Sequence, residues 1–75
     1  MTGRFNESLD SFEKVTMLDP KNPAAWYGQG LVLVALDRFQ EALKCFDKVI
    51  ELENNNVDAI YARNLTLSYL DKSKN

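Results

Sequence analysis

The 75-residue sequence predicts an all-α fold of four antiparallel helices, and three observations carry that prediction. Compared with itself at an offset of 34, the chain is identical at fifteen of 41 comparable positions, from Arg4/Arg38 and Phe5/Phe39 to Leu36/Leu70 and Asp37/Asp71. No gap interrupts the register, and a period of this length marks a stack of helical repeats. Within each period apolar residues recur at steps of three and four, the spacing that lines one face of a helix. Between the periodic stretches stand Pro20, Asn22-Pro23 and Asn54-Asn55-Asn56, which stop one helix and open the next.

The first helix is expected over residues 3–18, where Phe5, Leu9, Phe12, Val15 and Thr16 share a face; Pro20 halts it. The second is expected over residues 23–36. Asn22 can cap its free amides, and Pro23 sits in the first turn, where its missing N–H has no helical partner to lose. This stretch holds no charged residue, so neighbours must cover it on several sides. The third, within residues 37–53, sets Phe39, Ala42, Leu43, Phe46, Val49 and Ile50 against a polar face of Gln40, Glu41, Lys44, Asp47, Lys48 and Glu51. Asp37 is expected to cap it, with Gln40 completing a capping box. The fourth is expected over residues 57–70 behind Asn56, leaving a frayed tail to residue 75.

Composition narrows the chemistry. Nine Lys and Arg against eleven Asp and Glu are scattered without a basic patch, which disfavours nucleic acid. The longest strongly apolar run, residues 31–36, is too short to span a bilayer. The opening residues lack the apolar core of a secretory signal, so a cytoplasmic setting is expected. One cysteine and no histidine leave no intramolecular disulfide and no tetrahedral zinc set; no cofactor is expected. Catalysis would need a nucleophile with its base or a carboxylate pair in a dry cleft. Glu7, Asp10, Glu41 and Asp47 instead read as solvating charges, and Cys45, beside the apolar stripe with Lys44 pointing elsewhere, reads as structural. The chain is expected not to be an enzyme.

Residue by residue, the period resembles the tetratricopeptide repeat. Trp26, Gly30, Ala42 and Phe46 stand at that family's Trp, second Gly, Ala and Phe positions, and Leu33 and Val49 at two further packing positions. Gly30 and Ala42 are small where the helices of a hairpin cross closely, with Trp26 and Phe46 beside the crossing. The resemblance implies a superhelical stack of helix hairpins organised as one module. Residues 3–22 form a half repeat carrying its second helix, 23–56 a full repeat, and 57–75 a half repeat carrying its first helix. Three residues depart from the pattern. Asn54 replaces the closing proline that Pro20 retains, suggesting a less rigid connector. Asn64 replaces the small glycine, which would hinder a following helix. Asp37 stands where the turn between helices often has glycine.

The family resemblance implies a non-catalytic protein-interaction scaffold whose first helices line a concave groove for a partner's peptide or helix. The groove positions here are Ala24, Tyr27, Leu31, Val34, Asp58, Tyr61, Leu65 and Ser68. A subset of the family clamps C-terminal carboxylates with cations; the matching positions Tyr27, Leu31, Asp58 and Ala62 carry none, so acidic tails are poor candidates. Arg63 is expected to be solvated or locally paired. The register also leaves two helices without the partners their sequences imply. Their apolar residues, Phe5, Leu9, Phe12 and Val15 on one and Ile60, Leu67 and Leu70 on the other, suggest a homo-oligomer associating through these ends, by closed dimerisation or by head-to-tail stacking. A segment cut from a longer repeat array is the competing explanation.

Overall fold

The computed structural model describes residues 2–73 as four helices: α1 (Thr2–Leu18), α2 (Pro23–Ala35), α3 (Phe39–Leu52) and α4 (Val57–Ser73). Each packs against its neighbours in sequence, and α2 also meets α4; the Cα envelope is a flat slab of 38 × 33 × 14 Å. The expected four-helix all-α stack is therefore the observed one. α4 runs past the expected end at residue 70 to Ser73; the tail beyond it lies outside the described residues.

Two of the predicted caps form. Asn22 Oδ1 accepts from the amides of Ala24 at 3.1 Å and Ala25 at 3.4 Å, with Pro23 opening α2, and Asn56 Oδ1 accepts from Ala59 N–H at 3.0 Å. The third does not. Asp37 has φ 61, in the left-handed region, and belongs to the end of α2 rather than the start of α3. Its N–H donates to the Val34 carbonyl at 3.0 Å and that of Arg38 donates to Leu33 at 2.8 Å, closing α2 as a Schellman turn. α3 starts on Arg38, which makes no side-chain cap bond, so no capping box with Gln40 exists. The first turn of α3 is tied instead by Arg38 to Glu41, two contacts of 2.7 Å that hold the Glu41 carboxyl below its ordinary pKa. Asp37 thus occupies the position where glycine is favoured.

The α1–α2 and α3–α4 connectors share one bonding pattern despite Pro20 standing opposite Asn54. Asn22 N–H reaches the Asp19 carbonyl at 3.2 Å, and Asn56 N–H reaches Glu53 at 3.1 Å. The connector without proline gains a further bond, from Asn56 Nδ2 to Glu53 Oε1 at 2.9 Å. The other connector is braced by the Trp26 indole, whose N–H donates to the Pro20 carbonyl at 2.7 Å.

The core is built around Phe46, which has no exposed surface, with Leu9, Leu33, Ala42, Cys45 and Ala62; Trp26, Tyr27, Val32, Val34 and Leu36 pack around it. Both glycines of α2 face phenylalanine rings. A Cβ on Gly30 would lie 2.5 Å from the ring of Phe46, and one on Gly28 would lie 2.5 Å from that of Phe12. Two buried threonines satisfy their hydroxyls: Thr66 donates to the Ala62 carbonyl at 2.7 Å, and Thr16 lies 3.0 Å from both the Glu13 carbonyl and Gln29 Oε1. Arg63 pairs with Asp47 at 2.6 Å, joining α4 to α3, in agreement with the locally paired reading.

Candidate functional site

α2 and α4 carry the eight expected groove residues at steps of three and four. Three of them come together in one cleft: Ala24, Tyr27 and Asp58, with Pro23, Glu53 and Asn56, line a cleft of about 260 Å³ where the two helices begin. Two carboxylates, Glu53 and Asp58, give that end of the groove an acidic rim, and no lysine or arginine lines it. An acidic tail would meet like charge here. Further along, Leu31, Tyr61 and Leu65 expose 46%, 68% and 39% of their surface, apolar area carried on α2 and α4. Ser68 is exposed, whereas Val34 is half-buried against the core.

Tyr27 has a double role. Its ring stands 5.8 Å from that of Phe46 in a tilted arrangement, so one side belongs to the core while the other lines the cleft. Ala62, expected at a clamp position, is buried and offers nothing to a ligand.

Of the seven residues expected at the ends of the stack, four are open: Phe5, Val15, Ile60 and Leu67. Leu9 is 5% exposed and sits in the core against α2, so it is unavailable to another chain. Phe12 is half-buried over Gly28, and Leu70 is half-buried in a depression with Asp37, Arg38, Phe39, Gln40 and Glu41.

That depression, about 540 Å³, is a feature the sequence reading missed. It forms where the turn after α2 meets the last turns of α4, beside the rings of Phe39 and Tyr69 at 5.5 Å. Its one signal in the sequence is the tyrosine at 69, whose counterpart one period earlier is the small Ala35.

Cys45 is buried, and burial together with the charges of Glu13 and Glu41 pushes its thiol up to about 11. At neutral pH the group is a thiol, the unreactive form. Among the described residues no cluster of three or more Cys, Asp or Glu has metal-binding geometry, and no helix is long and apolar enough to cross a membrane.

Residues 23–56 match the family model of the tetratricopeptide repeat. No curated protein matches the chain.

Proposed function

Taking residues 23–56 as a tetratricopeptide repeat, a family of protein-interaction modules, we propose that the chain is a non-catalytic scaffold that takes a partner's peptide or helix along α2 and α4. The observation that carries this reading is the exposed series Leu31, Tyr61 and Leu65 running on from the cleft at Tyr27. Side chains left partly in water forgo a corresponding share of the roughly 1.5–3 kcal/mol that full burial gives, which a docked apolar face recovers. The tyrosine hydroxyls supply orientation, and the carboxylates of Glu53 and Asp58 favour a partner segment that is basic at the end lying over the cleft.

Exposure chooses the test. Tyr27 supports Phe46, so its replacement would disturb the core; Leu31 and Tyr61 are exposed and lie outside the core cluster, which makes them the better positions to change. A partner captured from native lysate is titrated against the isotope-labelled chain. Wild type is expected to show amide shifts on α2 and α4. Leu31→Glu with Tyr61→Glu is expected to lose binding at least tenfold with unchanged helical circular dichroism. Binding that survives the double substitution removes the groove from the proposal.

A further inference from the structure

The cleft where α2 and α4 begin takes its lining from three elements: Pro23, Ala24 and Tyr27 of α2, Glu53 and Asn56 of the connector after α3, and Asp58 of α4. At about 260 Å³ it is smaller than sites that enclose a whole small molecule, and it suits one long side chain. Pro23, Ala24 and the outer side of the Tyr27 ring give it apolar surface, and Glu53 and Asp58 give it charge. Asn56 fixes one of those carboxylates. Its Oδ1 accepts from Ala59 N–H at 3.0 Å while its Nδ2 donates to Glu53 Oε1 at 2.9 Å, tying Glu53 to the start of α4. Among the described residues the ion pairs engage Asp10, Glu41, Asp47 and Glu51, so Glu53 and Asp58 face the cleft without a cationic partner. Beyond the cleft lies Leu31, 46% exposed although α2 has α1, α3 and α4 as neighbours. Seven positions separate Ala24 from Leu31 and Asp58 from Leu65, about 10 Å along each helix axis.

We propose that this cleft holds an arginine of an extended partner segment, and that a large apolar residue three positions away in the segment lies on Leu31 and Leu65. The proposal rests on the groove reading and names the chemistry the groove selects. A guanidinium is planar: it stacks on the free side of the Tyr27 ring and its forked donors reach carboxylates on two sides, which a compact, strongly hydrated ammonium does less well. Its methylene stem covers the apolar surface of Pro23 and Ala24. The spacing follows from chain geometry. A polyproline-II segment has three residues per turn and rises about 3.1 Å per residue, so side chains three apart point the same way about 9 Å apart, close to the distance from cleft to Leu31. In a β-strand the same two side chains would point to opposite faces.

The probes are acetyl-Arg-Pro-Pro-Leu-amide and its reverse, acetyl-Leu-Pro-Pro-Arg-amide, titrated against the isotope-labelled full chain. At least one is expected to shift the amides of Ala24, Tyr27, Leu31 and Asp58. Norleucine in place of the arginine is expected to weaken binding at least tenfold, and lysine at least threefold. Glu53→Gln with Asp58→Asn removes both charges at nearly constant shape and is expected to cost at least tenfold with unchanged helical circular dichroism. Ala24→Lys, a cation set in the cleft at an exposed position, is expected to do the same and serves should the first variant lose helicity. Neither arginine peptide moving those amides overturns the proposal. So does a norleucine peptide that binds as well as its parent, or binding that ignores the loss of both carboxylates; lysine equal to arginine overturns the choice of a guanidinium. The groove reading fails separately. A lysate partner lost by Leu31→Glu with Tyr61→Glu but kept by Glu53→Gln with Asp58→Asn leaves the groove standing and removes the arginine anchor, whereas a partner kept by both variants removes both.

Discussion

Asp37 shows how a single position can be read in two incompatible ways, of which the structure bears out one. Its carboxylate and its place before an amphipathic stretch argue for a cap; its 34-residue frame argues for a turn that prefers glycine. The backbone decides, because the reversal from α2 into α3 needs φ 61 and the carboxylate cannot cap from there. A left-handed conformation costs an ordinary L-residue about 1–2 kcal/mol, less for Asp and Asn, and glycine nothing. Asp37→Gly is therefore expected to stabilise the chain by about 0.5–1 kcal/mol after the added flexibility of the unfolded state is deducted. Urea denaturation measures this, and a lower midpoint would show that the carboxylate makes a favourable contact that outweighs the strain.

At the scale of elements, the two glycines of α2 set how closely α1 and α3 approach it. Replacing either by alanine gains about 1 kcal/mol of helix propensity and places a Cβ against a ring. The rings differ in freedom. Phe46 is enclosed completely, so Gly30→Ala is expected to cost a net 1–2 kcal/mol from overpacking. Phe12 is only half-buried and can swing outward, so Gly28→Ala is expected to fall within about 0.5 kcal/mol of neutral. Equal costs would mean that the α1–α2 crossing is as rigid as the α2–α3 crossing. The helices themselves were legible in the sequence because period, caps and breakers agree: Asn22 and Asn56 cap as expected, and Phe46 meets Gly30. The exposure of each stripe was less legible. Leu9 and Val15 look alike in the sequence, yet one is buried against α2 and the other faces water, since helical spacing names a face without saying which neighbour covers which edge. The groove suffered likewise: the positions Tyr27 and Leu31 differ in what they hold up only because Phe46 stands behind the first.

For the molecule as a whole, the buried thiol of Cys45 reports on opening. Its folded-state pKa of about 11 lies above the ordinary thiol value of 9.0, so the folded chain holds the proton more tightly than the unfolded one. Stability attached to this group is intact below pH 9 and falls as pH rises from 9 toward 11. Melting temperature is expected to drop more steeply across that window in wild type than in Cys45→Ala, which shares every tyrosine and lysine. Parallel curves would show that the thiol ionises equally well in both states.

Trp26 is the sole tryptophan, and its indole bridges α2 to the turn that ends α1. Intrinsic fluorescence of this chain is consequently a local gauge: it reads the joint between the first two helices, while ellipticity reads all four. In a stack where each helix leans on its sequence neighbours, the two signals together tell which end of the chain lets go first.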